Sequence, residues 1–409
     1  MSAYFDLKFK PDYKKNIIAT FYIEACGDLK DAAEELAAES SIGTWTELST
    51  MTPAIKKRLA AKVFHLDKKN NIVQVAYPLG LFEFGSIPQL LSDLAGNVFS
   101  LKKIDNLRLN DLEFPASYVK SFPGPILGLE GIRKLTGIYK RPFVGAIMKP
   151  KLGLTAKEHA AVAYEIFKGG VDLVKDDENL TDQAFNPFEE RVVRVLAAAK
   201  QAAKETGSAK ICALNVTAET EEMVKRAKFI KRHGGTCMMI DVVTAGFSGL
   251  QTLRKANEKM GLILHGHRAM HSAFTRNPKH GISMLVLAKL CRLAGVDQLH
   301  TGTVVGKMEG TAEEVLGINN FLTGQWFGMK KVLPIASGGL HPGLTAELVK
   351  ILGNDVIINY GGGLHGHPEG SCAGAIACHQ SVDAAVKCVP LAKYAQTHPE
   401  LNKALEHWR

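Results

Sequence analysis

From about residue 140 onward, short runs of β-branched and apolar residues alternate with longer stretches whose apolar positions recur at helical spacing. The runs fall at 143–148, 171–175, 211–216, 237–243, 262–267, 298–303, 332–336 and 356–359. Between them lie TAKEHAAVAYEIFKGG, PFEERVVRVLAAAKQAAKETG, TEEMVKRAKFIKRHGG, ISMLVLAKLCRLAG and TAELVKILG, several of which close on Gly, the residue that best tolerates a left-handed helix end. Eight strands separated by helices predict parallel βαβ units, and eight such units close into a barrel.

The first 125 or so residues keep a different rhythm. Strand-like runs (YFDLKF, IIATFYIEA, IVQVAYPLG, LRLNDLEFP) are mixed with helices at 29–39 and 87–94. A glycine- and proline-rich stretch at 124–142 separates the two patterns. The expected fold is α/β: a small α+β (ferredoxin-like) domain over residues 1–124, then a C-terminal (β/α)8 TIM barrel over 125–409 that carries catalysis.

In such a barrel, chemistry belongs at the C-terminal strand ends. The first run ends in Lys149-Pro150-Lys151, where strand alternation predicts two ammonium groups on one face and a lowered pKa for at least one. The second ends in Lys175-Asp176-Asp177-Glu178. Three carboxylates at a barrel mouth call for a hard cation, with Mg2+ the best match, although a helix start rich in acids has the same composition. The lysine fits there if its neutral amine reacts with CO2 to form a carbamate.

The fifth run ends in His265-Gly266-His267-Arg268. The HxH pair suits metal binding, proton transfer or simple core hydrogen bonding, and Arg268 favours an anion nearby. His300 ends the sixth, and the glycines flanking Lys307 let that lysine close as a lid. Ser337-Gly338-Gly339 and Gly361-Gly362-Gly363 end the last two, where backbone amides commonly cradle phosphate. A basic, glycine-lined mouth around a carboxylate-held cation predicts a small bisphosphate substrate.

Composition narrows the picture. The net charge of +9 is scattered rather than clustered, so no nucleic-acid partner is expected. Seven cysteines with no CxxC spacing argue against a disulfide framework and for a reducing cytoplasm. No apolar run is long enough to span a membrane, and the first residues contain no signal-like apolar core.

The segments AAESSIGTWTEL, GNVF, GAIMKPKLGL, GGVDLVKDDEN, HGHRAMH, DQLHTGTVVGKMEG, ASGG and GGGLHGHP occur in the order found in ribulose bisphosphate carboxylase/oxygenase large chains, which the sequence resembles along nearly its whole length. The resemblance implies carboxylation, with side oxygenation, of ribulose 1,5-bisphosphate to 3-phosphoglycerate. It implies that CO2 activates the enzyme by carbamylating Lys175, which with Asp177 and Glu178 holds Mg2+ and serves as the enolising base. Lys149 resembles the acid that protonates the terminal carbanion. Lys151 and His267 support the enediolate, and Lys307 orients CO2. One phosphate would meet Arg268, His300 and Ser337; the other would meet Thr44, Trp45, Lys307, Gly339, Gly361 and Gly362, with Gly338 between the two groups.

Glu39, Thr44 and Asn97 belong to the segment that, in this family, reaches the barrel of a second subunit, so a homodimer with shared active sites is implied, and dimers can assemble further. One departure is Ile147, where plant chains carry Thr. Together with IGTW, GISML and HPGL it leans toward the archaeal-type form III branch, which works in nucleotide salvage. Rival readings are a RuBisCO-like enolase or isomerase of a methionine-salvage sugar phosphate, which typically lacks the lysine lid, and a silent bisphosphate-binding protein. A carbamylated-lysine hydrolase would want its HxH on the first strand, where this chain has none.

Overall fold

The computed structural model describes residues 3–44, 46, 48–306 and 311–408. Its strands are β1 (Asn16–Ala25), β2 (Lys62–Asp67), β3 (Ile72–Pro78), β4 (Ile104–Glu113), β5 (Phe143–Ile147), β6 (Leu173–Lys175), β7 (Ile211–Asn215), β8 (Cys237–Asp241), β9 (Ile263–His267), β10 (Gly281–Ile282), β11 (Gln298–His300), β12 (Leu333–Ser337) and β13 (Ile357–Tyr360). They form a five-stranded sheet in the order β10-β4-β1-β3-β2 and a closed barrel, β5 through β9 followed by β11, β12 and β13. All neighbours in the barrel are parallel. The eight predicted runs are the eight barrel strands.

The chain divides into two compact units. One comprises 1–123, 270–294 and 327–329; the other comprises 124–269, 295–326 and 330–409. In the first, β1 buries Ile17, Ala19, Phe21 and Ile23 on one face at the two-residue period of a half-covered strand. The segment YFDLKF does not form the predicted strand. Asp6 folds it into a turn, accepting the Lys8 amide on Oδ1 and the Phe9 amide on its carbonyl. The edge strand β2, which the pattern did not single out, pairs with β3. The helix Met284–Ala294, expected as a barrel helix, groups with the first unit, and β10 just before it adds a parallel edge to β4.

In the second unit the barrel's lower end is sealed by apolar packing. Phe143, Leu173, Ile211, Cys237, Ile263, Leu333 and Ile357, the first residues of seven strands, form one cluster with Leu129 and Ile132 of the helix Gly128–Thr136. Each such buried aliphatic or aromatic side chain contributes about 1.5–3 kcal/mol. Just outside this layer, Asp297 accepts the amides of Leu127, Gly128 and Leu264, tying the helix entry to two strands. At the opposite end, β6, β8, β9 and β11 finish on Lys175, Asp241, His267 and His300.

Several helices have the caps the sequence encodes. Thr155 and Glu158 form a reciprocal capping box on Ala156–Lys168, and Gly207 ends Phe188–Thr206 at φ +66°. No helix among the described residues is long and apolar enough to cross a membrane. No disulfide joins any of the seven cysteines, and Cys212, Cys237, Cys291 and Cys378 are buried.

Candidate active site

The period-two alternation of β6 continues past its end and sorts the acidic run. Lys175 and Asp177 are buried on one side, whereas Asp176 is turned to the other, where Arg191 Nε lies 3.1 Å from its Oδ2 and His159 Nε2 3.1 Å from its Oδ1. The Asn215 amide adds a 2.9 Å hydrogen bond. Burial pushes the Asp176 carboxyl up, but Arg191, His159 and that amide outweigh it and hold it at about 2. The expectation of three carboxylates facing one cation is therefore corrected to two: Asp176 anchors the strand end to the helices behind it.

Lys175 is fully buried, and its Nζ has no hydrogen-bond partner among the described residues. Glu178 Oε2 lies 3.5 Å away, at ion-pair distance. Desolvation drives the amine's pKa down, against the pull of Glu178, Asp177 and Asp241. Asp177 receives Lys149 Nζ at 2.7 Å and Asn179 Nδ2 at 3.0 Å. Because β5 ends at Ile147, alternation does not extend to the lysine pair: Lys149 lies on Asp177, and Lys151 is exposed.

His267, the last residue of β9, places Nδ1 3.0 Å from Asp241 Oδ1 and Nε2 3.6 Å from Glu178 Oε2. Burial and the Lys175 charge lower its pKa, with Asp241 and Glu178 opposing. It is tied to the same acids that flank Lys175. Sequence reasoning missed Asp241. It occupies the C-terminal end of β8, where the strand-end rule applied to β7 and β8 would have found it.

The other histidine of the HxH pair faces elsewhere. His265 Nδ1 is 2.9 Å from Gln298 Oε1, its Nε2 is 3.0 Å from His300 Nε2, and His300 Nδ1 is 2.9 Å from Ser337 Oγ. This chain crosses from β9 through β11 to β12. Arg268 donates Nη1 to the Thr301 carbonyl at 3.1 Å, and burial lowers its pKa to about 10. Gly302, at φ +102°, leaves the guanidinium room: a Cβ there would lie 2.9 Å from Arg268 Nη2.

Two glycine turns complete this end. Gly338 and Gly339 follow Ser337 at φ +119° and +67°, and Gly361 lies beside Lys149, with a Cβ position 3.7 Å from Lys149 Cε. A Cβ on Gly362 would meet nothing within 4 Å, so its backbone faces open space. The barrel brings Lys149, Lys175, Asp177, Glu178, His267, Arg268, His300, Ser337, Gly338, Gly339, Gly361 and Gly362 to the C-terminal ends of its strands. In the first unit, Asn97 Nδ2 donates to Glu39 Oε1 at 3.4 Å, and Thr44 is exposed. Trp45 and Lys307 lie outside the described residues.

Residues 128–408 match the family described as ribulose bisphosphate carboxylase large chain, catalytic domain, and residues 3–118 match its N-terminal domain. A ribulose bisphosphate carboxylase from Methanosarcina barkeri is 49% identical, covering 99% of this chain and 98% of its own. The octameric ribulose-1,5-bisphosphate carboxylase/oxygenase of Pyrococcus horikoshii superposes with a TM-score of 0.95 at 47% identity, covering 99% of this chain and 96% of that one. A dimeric archaeal Rubisco from Hyperthermus butylicus gives 0.92 at 46% identity, covering 99% and 98%. With both family domains matched in order and the barrel's polar groups gathered at one end, this chain belongs to the ribulose bisphosphate carboxylase large-chain family.

Proposed function

We propose that the chain carboxylates ribulose 1,5-bisphosphate, with side oxygenation, after CO2 has modified Lys175. The observation that carries this reading is the fully buried Lys175 amine, which makes no hydrogen bond among the described residues and lies 3.5 Å from Glu178 Oε2 with Asp177 beside it. A depressed pKa leaves the nitrogen lone pair free to attack CO2. A nitrogen–carbon bond forms, the neutral amine gives up one proton, and an uncharged nitrogen becomes a carboxylate-like anion. Among the described residues no three His, Cys, Asp or Glu side chains converge as a ready-made metal site. A modified Lys175 supplies the missing oxygen donor, so the donor set suits a hard cation such as Mg2+.

When bound, Mg2+ supplies a Lewis acid beside the sugar carbonyl. The chain's own groups bind and orient around it. Lys149, held by Asp177, keeps an ammonium proton at Nζ for delivery to substrate carbon. His267, steered by Asp241, presents Nε2 as a neutral proton carrier, and exposed Lys151 assists at the enediolate. Arg268, His300 and Ser337 take one phosphate, and the amides of Gly339, Gly361 and Gly362 the other. Lys307 is assigned the closing lid that faces the new carboxylate. Glu39, Thr44, Trp45 and Asn97 are assigned to the neighbouring subunit's site in a homodimer. The likeness to archaeal chains supports a cytoplasmic role in nucleotide salvage.

Purified protein incubated with ribulose 1,5-bisphosphate, Mg2+ and labelled bicarbonate is expected to give acid-stable label in 3-phosphoglycerate. Absence of label sinks the reading. Lys307→Ala is expected to lose that label while still enolising substrate, and retained carboxylation would refute its role.

A further inference from the structure

The buried chain from Gln298 to Ser337 carries one bit of information. His265 and His300 are fully or nearly fully buried, and their Nε2 atoms face each other at 3.0 Å. Burial lowers His265 to about 3 and His300 well below the usual histidine value, so both rings are neutral. A neutral imidazole has one N–H, and one of the facing nitrogens must donate while the other accepts. That choice fixes the rest. If His300 donates from Nε2, its Nδ1 accepts from the Ser337 hydroxyl, and His265 donates from Nδ1 to Gln298 Oε1. If His265 donates from Nε2, His300 donates from Nδ1 to Ser337 Oγ, and His265 Nδ1 requires a donor from residue 298.

Gln298 is suited to end either arrangement, because one face of its amide accepts and the other donates. In the structure Oε1 faces His265, and Nε2, also buried, has no partner among the described residues. We propose that Gln298 is a positioning residue that sets the polarity of this chain, and that substrate phosphate is bound in the polarity in which Gln298 donates and the Ser337 hydroxyl hydrogen points into the barrel mouth. Both arrangements contain the same three hydrogens, one on Ser337 and one on each ring. Reversal changes no net charge. It exchanges the protonated nitrogen of each ring and turns the amide over.

The physical reason for the preference lies in the anion. A phosphate oxygen accepts hydrogen bonds, so a serine hydroxyl committed inward to His300 presents it a lone pair instead of a donor. This inference rests on the reading that Ser337, with His300 behind it, meets a phosphate of the substrate.

Two measurements on the full-length protein test it. With histidine rings labelled with 15N, ribulose 1,5-bisphosphate is expected to leave the His265 Nε2 protonated and its Nδ1 bare; the opposite tautomer in the bound state overturns the proposal. Gln298→Met keeps the volume but removes the donor, and its KM for the bisphosphate is expected to rise at least fivefold with kcat within about threefold. Gln298→His, which restores an N–H, should recover most of that loss. An unchanged KM in the Met variant, or no recovery in the His variant, overturns the proposal, and if Gln298→Met fails to fold the wild-type spectrum decides alone. Should the wild-type chain bind no bisphosphate, the functional reading fails and this inference with it, an outcome distinct from binding with the wrong tautomer.

Discussion

Asp176 and Arg191 form a fully buried ion pair, Nε to Oδ2 at 3.1 Å, directly behind the two residues, Lys175 and Asp177, that face the barrel mouth. The pair holds the backbone between them, so its removal should disturb both fold and site.

Asp176→Asn is expected to destabilise the protein by about 3–5 kcal/mol, because Arg191 keeps its charge in a dry pocket without compensation. The pH dependence has a definite sign. The folded carboxyl sits at about 2, below an ordinary Asp, so its stabilising effect is fully present above roughly pH 4 and is lost as pH falls toward 2. Thermal unfolding midpoints across that range should show the acid-side loss in the native chain and a flatter profile in the variant.

Lys175→Met should move stability the other way. Replacing a buried amine that makes no hydrogen bond among the described residues with an apolar side chain of similar size is expected to raise stability by about 1–3 kcal/mol while abolishing carboxylation. Denaturant titration in the absence of CO2 checks the first half. The native amine, with its lowered pKa, should gain CO2 more readily as pH rises, visible as a 13C resonance from labelled bicarbonate that the Met variant lacks.

Asp241→Asn removes the carboxylate that faces Nδ1 of His267 and leaves only Glu178 near its Nε2. Loss of an orienting group of this kind typically costs roughly ten- to a hundred-fold, and the expected drop is in kcat more than in KM. Because Asp241 pulls the His267 pKa upward against burial, the variant's kcat profile should also shift to lower pH. An unchanged profile would show that the contact is not used.

Gly302→Ala places a methyl group 2.9 Å from Arg268 Nη2 at a backbone angle that L side chains rarely adopt. Displacing a guanidinium from a phosphate should cost about 1.5–3 kcal/mol, or roughly ten- to a hundred-fold in KM for the bisphosphate. Steady-state kinetics decide it, with a normal KM counting against Arg268 as a phosphate ligand.

The barrel was legible because eight apolar runs separated by helical stretches have few other closed solutions, and the strand-end rule then located Lys175, His267 and Ser337. What the linear pattern missed depended on direction rather than position. Asp176 reads like its acidic neighbours until alternation turns it toward Arg191. His265 and His267 look alike in HxH, yet one meets Gln298 and the other Asp241. Gln298 itself reads as an ordinary polar residue before a histidine. The segment YFDLKF had strand composition, and a single aspartate turn at Asp6 overrode it.

The route of the chain has a consequence for synthesis. The first unit takes its parallel edge strand β10 and the helix Met284–Ala294 from a stretch that follows five barrel strands. A ribosome must therefore release residue 282 of 409 before the amino-terminal sheet has its full complement of strands, and the segment made first is finished only after five barrel strands have emerged.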